Sequence, residues 1–468
     1  METTEFKDLK KKLCSTRKNG FDRIQEAEKA QIEAYCDGYK TFLDVCKTER
    51  LCAAETIRLA EAQGYKAFTR GMELHAGDKI YFSNRGKSVL LARIGSQSLA
   101  QGAQIAAAHI DSPRLDLKPN PLYEESELAY FKTHYYGGIR KYQWVTIPLE
   151  LRGVIALKDG TNVNVNIGAE EGDPKLVITD LLPHLGAEQN RKPLGEAIPG
   201  ETLNLLLGSE PIGEEDDSGR VKLAVLKLLN EKYGVTEDDF TSAELEAVPA
   251  AKACDIGLDR SMIGAYGHDD RVCAYAALKA LLDMEETPDK TAVCVLADKE
   301  EIGSDGVTGM QSAAFDTFME DLCEAQGVKV RECLEHSFCL STDVTAAYDP
   351  NFGDVYEKRN SAYLNYGIGL CKYTGARGKS GASDASAETV AYARKLFDDA
   401  DVIWQIAELG KIDVGGGGTV AVYMANRNIT TLDAGVPVLS MHAPFETVSK
   451  LDCYETYKGI RAVYLAKN

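Results

Sequence analysis

Two nearly unbroken apolar runs limit how this chain folds: AQIAAAHID at residues 103–111 and TAVCVLA at residues 291–297. Runs of this kind belong to strands covered on both faces, which occur in sheets sandwiched between helices. The surrounding sequence fits. RVCAYAALKALLD, GMQSAAFDTFMEDLCEAQG and SAETVAYARKLFDDAD have helical periodicity and alternate with the strand-like SFCLSTD, VIWQIA and NITTLDAG. Near the amino end, TFLDVCKTERLCAAETIRLAEAQG places Phe42, Val45, Leu51, Ile57 and Leu59 on a helical stripe ending at Gly64. The expected fold is α/β, a mixed and largely parallel sheet flanked by helices.

Residues 113–253 break that rhythm. TIPLELRGVIALKDGTNVNVNIG alternates apolar and polar residues around a Lys158-Asp159-Gly160 turn, and a single helix, VKLAVLKLLNEKYG, interrupts the strands. The chain is therefore divided into a discontinuous α/β unit, 1–112 with 254–468, and an inserted β-rich unit, 113–253. With 468 residues, two domains are the natural expectation.

Charge excludes some functions. The formal net charge of -19 repels phosphate backbones and anionic membranes, so neither nucleic acid nor membrane is an expected partner. The 12 cysteines are scattered without a CxxC pair, the first residues are charged, and no apolar run approaches the ~20 residues a bilayer requires. A cytoplasmic protein is expected.

In open α/β sheets, ligands bind at the carboxyl ends of strands. The polar residues at strand exits are His109 and Asp111, Glu300 and Glu301, Asp343, and His442, with His268, Asp269 and Asp270 just before the helix at 271–283. Each has an ordinary explanation alone: a surface His-Asp pair, a solvated turn, carboxylates in the first turn of a helix, or a packed loop histidine. Together they form one donor set. Carboxylates gathered at one edge repel one another unless cations hold them, and oxygen with imidazole suits zinc, cobalt or manganese. Asp269, Glu301 and Asp343 with one hydroxide match the charge of two divalent ions, which at ~3.5 to 4 Å apart polarise a carbonyl and generate hydroxide. His109 and Asp111 are two apart on a strand, so both point to one side, and Asp111 can accept the other ring N-H of His109. Adjacent Glu300 and Glu301 cannot share a strand face, so one can ligate while the other approaches the metal-bound water.

The motifs FLDVCKTE, GDKIYFSNRGKSVLLARIG, AAAHIDSPRLDLKP, GHDDRVCAYAAL, DKEEIGSDGVTGMQS, STDVTAAYDPNFG, GGGGT and LSMHAPFE, in this order, resemble the aspartyl aminopeptidase family, within the clan of exopeptidases with two co-catalytic zinc ions. The resemblance implies a zinc-exopeptidase fold with an inserted dimerisation domain, and peptides as substrates. It implies two Zn(2+) per subunit, with Co(2+) or Mn(2+) as substitutes. His109 and Asp343 would hold one ion, Glu301 and His442 the other, and Asp269 would bridge them. Glu300 would be the general base and Asp111 the orienting carboxylate in an attack by bridged hydroxide on the first peptide bond.

It further points to acidic first residues, Asp or Glu, as a candidate preference. Lys358, Arg359 and Lys379 are the candidate cations for them, and His184 is the residue nearest to one that the family lends to a neighbouring subunit. A homo-oligomer is implied, a dodecamer built from dimers. The family commonly has Asp-Asn where this chain has Asp269-Asp270, and Asp270 is expected to face its helix. Two alternatives remain: a deacylase or carboxypeptidase of the same clan, and a non-catalytic assembly protein stapled by metal.

Overall fold

A computed structural model of the chain describes residues 3–467; Met1, Glu2 and Asn468, at the ends of the expected α/β unit, lie outside the described residues. The strand Ala103–His109 shows why the apolar run is continuous. Successive side chains point to opposite faces, so Ile105 and Ala107 enter one core while Ala106 and Ala108 enter another. All four are fully buried.

Among the described residues this strand belongs to a nine-stranded sheet. It lies between Thr291–Ala297 and Phe338–Ser341, parallel to both, and Phe338–Ser341 pairs in parallel with Thr430–Gly435. Antiparallel pairings flank this centre: Ser88–Arg93 on Thr291–Ala297, and Ile368–Cys371 on Thr430–Gly435. The fold is thus mixed α/β. On one face pack the helices Glu26–Val45, His268–Leu282 and Lys450–Tyr464, the first through Ile32, Tyr35, Tyr39 and Phe42. On the other, Ala314–Ala325 inserts Phe315, Phe318, Met319 and Leu322, a helical i, i+3, i+4, i+7 set.

A separate six-stranded antiparallel sheet is built wholly from residues between Arg114 and Pro249, in the order Asn162–Ile167, Leu149–Ala156, Ala243–Pro249, Arg114–Glu125, Leu128–Tyr136 and Leu205–Gly208. It has its own core around Phe131, Trp144, Leu151 and Phe240. The turn at 158–160 closes one hairpin: Leu157 N-H donates to Thr161 O, and Gly160 takes φ 88, a left-handed value that suits glycine. The helix here runs Arg220–Tyr233 and stops at left-handed Gly234.

Two local features differ from the sequence-based expectation. The stripe at 41–64 is broken into two helices, because Thr48 accepts the Leu51 N-H at 3.3 Å and starts a new helix at Glu49. Val45, expected on the stripe, is 43% exposed at the break. A five-stranded sheet, Cys254–Ile256, Met262–Ala265, Glu446–Ser449, Pro437–Leu439 and Thr345–Ala346, was not expected as a sheet, although VPVLSM was read as a strand ending before His442. Its strands are two to four residues long, too short to leave a periodic signal. All 12 cysteines are free thiols, and no described helix is long and apolar enough to cross a membrane.

Candidate metal centre

The parallel strands deliver their carboxyl ends to one place. His109 is the last residue of its strand, Glu300 and Glu301 follow Thr291–Ala297, and Asp343 follows Phe338–Ser341. Asp269 enters from the start of His268–Leu282, where the Asp269-Asp270 peptide is cis, and His442 from the loop after Pro437–Leu439.

Asp269 lies between the imidazoles and offers one oxygen to each. Its Oδ1 is 3.1 Å from His109 Nε2 and its Oδ2 is 3.1 Å from His442 Nε2. His109 Nε2 also stands 3.7 Å from Asp343 Oδ1 and 3.9 Å from Glu300 Oε2, while His442 Nε2 is 3.4 Å from Glu301 Oε2. Donor atoms of His109, Glu300 and Asp343 lie within 4.8 Å of one another, as do those of His109, Asp269 and Glu301. The six residues expected as metal ligands and proton carrier therefore come together here.

Asp111 is the hub beneath them. The strand has already ended, so the face-sharing argument fails, yet the contact forms: His109 Nδ1 is 3.0 Å from the Asp111 backbone oxygen and 3.3 Å from its Oδ1. The Asp111 carboxylate also accepts the backbone N-H groups of Glu300 and Glu301 at 3.1 and 3.2 Å, and the Tyr136 hydroxyl at 2.8 Å. The two glutamates share the cluster because the strand does not continue through them. Left-handed Lys299 begins a 3-10 turn, Glu300–Ile302, that swings both side chains inward.

Asp270 approaches Cys273 on its own helix, as expected, but also accepts the His109 backbone N-H at 3.4 Å. Glu446 was missed by the sequence reasoning. Its buried carboxylate accepts the backbone N-H groups of Asp269 at 3.1 Å and His442 at 2.8 Å. The signal for it was present, a carboxylate four residues after His442. Gly138, whose carbonyl lies 2.8 Å from His442 Nδ1, carried none.

Burial is the largest influence on these groups. It pushes Glu300 up to about 8; His109 opposes this, and Asp343, Asp111 and Asp269 reinforce it. Burial likewise raises Glu301 well above the carboxylate range. Asp269 is held low despite burial, because both imidazoles stabilise its charge. Burial would lower His109, but Asp111, Asp269 and Asp343 hold it well above its ordinary value. Seven carboxylates, those of Asp111, Asp269, Asp270, Glu300, Glu301, Asp343 and Glu446, thus crowd two imidazoles, and Glu301 Oε1 and Asp270 Oδ1 are buried with no hydrogen-bond partner. Divalent cations relieve such crowding and give an orphaned oxygen a partner, so the donor set fits the metal expected for it.

A cavity of about 580 Å³ opens over the cluster, lined by Asp269, Glu300, Glu301, Asp343 and His442 and walled by Tyr373, Leu409, Val422, Tyr423, Met441 and the glycine run 416–418. The expected substrate cations are elsewhere. Lys358 lies 5.6 Å over the Tyr348 ring, Arg359 and His184 are exposed, and none of the three lines the cavity. Lys379 packs 4.0 Å over Tyr373 and pairs with Asp384 in an adjoining hollow.

A mixed α/β sheet that gathers imidazoles and carboxylates beside a cavity at its strand ends defines a metal-dependent hydrolase. Residues 42–464 match the model of the aminopeptidase I zinc metalloprotease (M18) family. A probable M18 family aminopeptidase 1 of Clostridium acetobutylicum is 49% identical over 458 residues, 96% of this chain and 98% of that protein. The crystal structure of an M18-family aminopeptidase from Thermotoga maritima superposes with a TM-score of 0.92 at 44% identity, covering 96% of this chain and 99% of that one. A solved S. cerevisiae dodecamer shares the fold at 20% identity, with a TM-score of 0.73 over 92% of this chain and 97% of that one. The chain belongs to the M18 zinc aminopeptidase family and is an enzyme that hydrolyses peptides at their amino end.

Proposed function

We propose a two-metal aminopeptidase in which His109 and Asp343 hold one ion, Glu301 and His442 the other, and Asp269 bridges them. The observation that carries this reading is the split carboxylate of Asp269, one oxygen at 3.1 Å from each imidazole. Two divalent ions held there, zinc with cobalt or manganese as substitutes, supply carbonyl polarisation and a hydroxide near neutral pH. Glu300 takes the proton of the attacking water on its carboxylate and returns it to the leaving amine nitrogen. Glu300 suits that role by position, its Oε2 standing 3.9 Å from His109 Nε2 in the lining of the cavity. Asp111 keeps the ring of His109 oriented and, through two backbone N-H groups, fixes the turn that carries both glutamates.

The cavity favours an uncharged first side chain. Its walls are aromatic, aliphatic and glycine with Thr345, Thr374, Thr419 and Cys371 among them, no lysine or arginine lines it among the described residues, and buried Asp433 adds a further carboxyl. An acidic side chain entering there finds no lysine or arginine to pair with beyond the metals themselves. The test is a peptide series differing only in the first residue, assayed on chelator-treated protein with and without added zinc, cobalt or manganese. Hydrolysis is expected to vanish on metal removal, return with metal, and be at least ten-fold faster for leucine or methionine than for aspartate or glutamate. Metal-independent hydrolysis sinks the two-metal reading; a preference for aspartate overturns the specificity and places the cation in a neighbouring subunit. Unchanged cleavage of a peptide with a blocked amino group selects the deacylase alternative.

The unit 113–253 is proposed as the dimerisation body of a homo-oligomer, a dodecamer built from dimers. Supporting this, Leu181, Leu182, Leu185, Leu194, Leu223 and Leu228 are each at least 50% exposed and all fall within it. Paired Leu223→Asp and Leu228→Asp changes are expected to lower the assembly mass measured by light scattering without unfolding the protein. An unaltered mass removes this helix from the interface.

A further inference from the structure

Three consecutive residues at the end of the strand Leu128–Tyr136 reach across from the six-stranded sheet and touch three different parts of the metal centre. Tyr136 donates its hydroxyl to Asp111 Oδ2 at 2.8 Å. Gly137 follows with φ 75, and a Cβ there would lie 3.3 Å from both Cβ and Oε2 of Glu301. The Gly138 carbonyl then takes His442 Nδ1 at 2.8 Å. The far side is anchored too. The Arg114 guanidinium stacks 3.8 Å over the Tyr136 ring and is itself held by Glu49, Asp116 and Glu246.

We propose that Tyr136, Gly137 and Gly138 form a positioning clamp by which the six-stranded sheet sets the geometry, and so the metal affinity, of a centre whose ligands all lie on the other unit. The physical basis is direct. An imidazole presents Nε2 to a metal in a direction fixed by whatever holds Nδ1. For His442 that partner is Gly138, and for His109 it is Asp111, whose carboxylate takes a donor from Tyr136. The six-stranded sheet thus finishes both imidazole sites, and a displacement of it reaches both at once.

This inference rests on the two-metal reading, and one set of measurements separates the two. Zinc stoichiometry and affinity are determined on full-length protein by competition with a chromophoric chelator, and the cobalt-loaded protein gives an absorption spectrum of the coordination geometry. Wild type binding no zinc ends the two-metal reading. If wild type binds two equivalents, Tyr136→Phe, which deletes one hydroxyl and keeps the ring stacked on Arg114, is expected to weaken zinc binding at least ten-fold and alter the cobalt spectrum, with kcat falling more than KM changes. Gly137→Ala is expected to lower the affinity of the equivalent that involves Glu301. Tyr130→Phe, on the same strand and stacked on Tyr123, is the control for general loosening of the sheet. Zinc affinity and cobalt spectrum within two-fold of wild type in Tyr136→Phe overturn the clamp, as does an equal shift in Tyr130→Phe.

Discussion

Glu300→Gln is expected to lower kcat about a thousand-fold while leaving two zinc equivalents bound, a loss of about 4 kcal/mol of transition-state stabilisation. The amide keeps the volume of the carboxyl and can still accept from its neighbours, but it cannot take and return a proton. The backbone N-H of Glu300 remains tied to Asp111, so the turn stays in place. KM is expected to change little, because the deleted step belongs to the transition state rather than to binding. Steady-state kinetics with metal analysis on one preparation checks this. If activity persists within ten-fold of wild type, Glu300 is not the proton carrier.

Glu301→Ala should fail differently, by losing metal. Its side chain is 3% exposed, one oxygen stands 3.4 Å from His442 Nε2, and the other has no partner. In protein without metal, burial first and then the charges of Asp269 and Asp111 disfavour this carboxylate, with His442 and His109 opposing, so removing it costs little stability or raises it. In metal-loaded protein the sign reverses. Wild type should gain about 2.7 kcal/mol at zinc a hundred-fold above Kd, whereas the variant should gain less and bind about one equivalent at the same zinc concentration. Thermal unfolding with and without zinc, beside metal analysis, reads both. Two tightly held equivalents in Glu301→Ala would remove this residue from the ligand set and leave His442 with Asp269 alone.

The outline of the fold was legible because burial on both faces leaves a mark in composition. AQIAAAH and TAVCVLA could be placed as central strands, and His109, Glu300, Glu301 and Asp343 at their exits, since each is local to one strand and the next turn. The five-stranded sheet was not legible, because its strands are held by partners as distant as Met262 and Ser449. The break at Thr48 was hidden as well: a side-chain cap interrupts a helix without interrupting its apolar period.

By itself the sequence determined which donors exist, on which strand ends, and that their excess of carboxylate calls for cations, since residue type and strand order are properties of the chain. Only the tertiary structure decided how they are held. Asp111 holds His109 through its backbone oxygen as well as its carboxylate and anchors the glutamate turn through the carboxylate, Glu446 ties Asp269 to His442, and Tyr136 and Gly138 arrive from a separate sheet. Hydrogen-bond geometry depends on tenths of an ångström between groups far apart in the chain, and nothing in local periodicity encodes that approach.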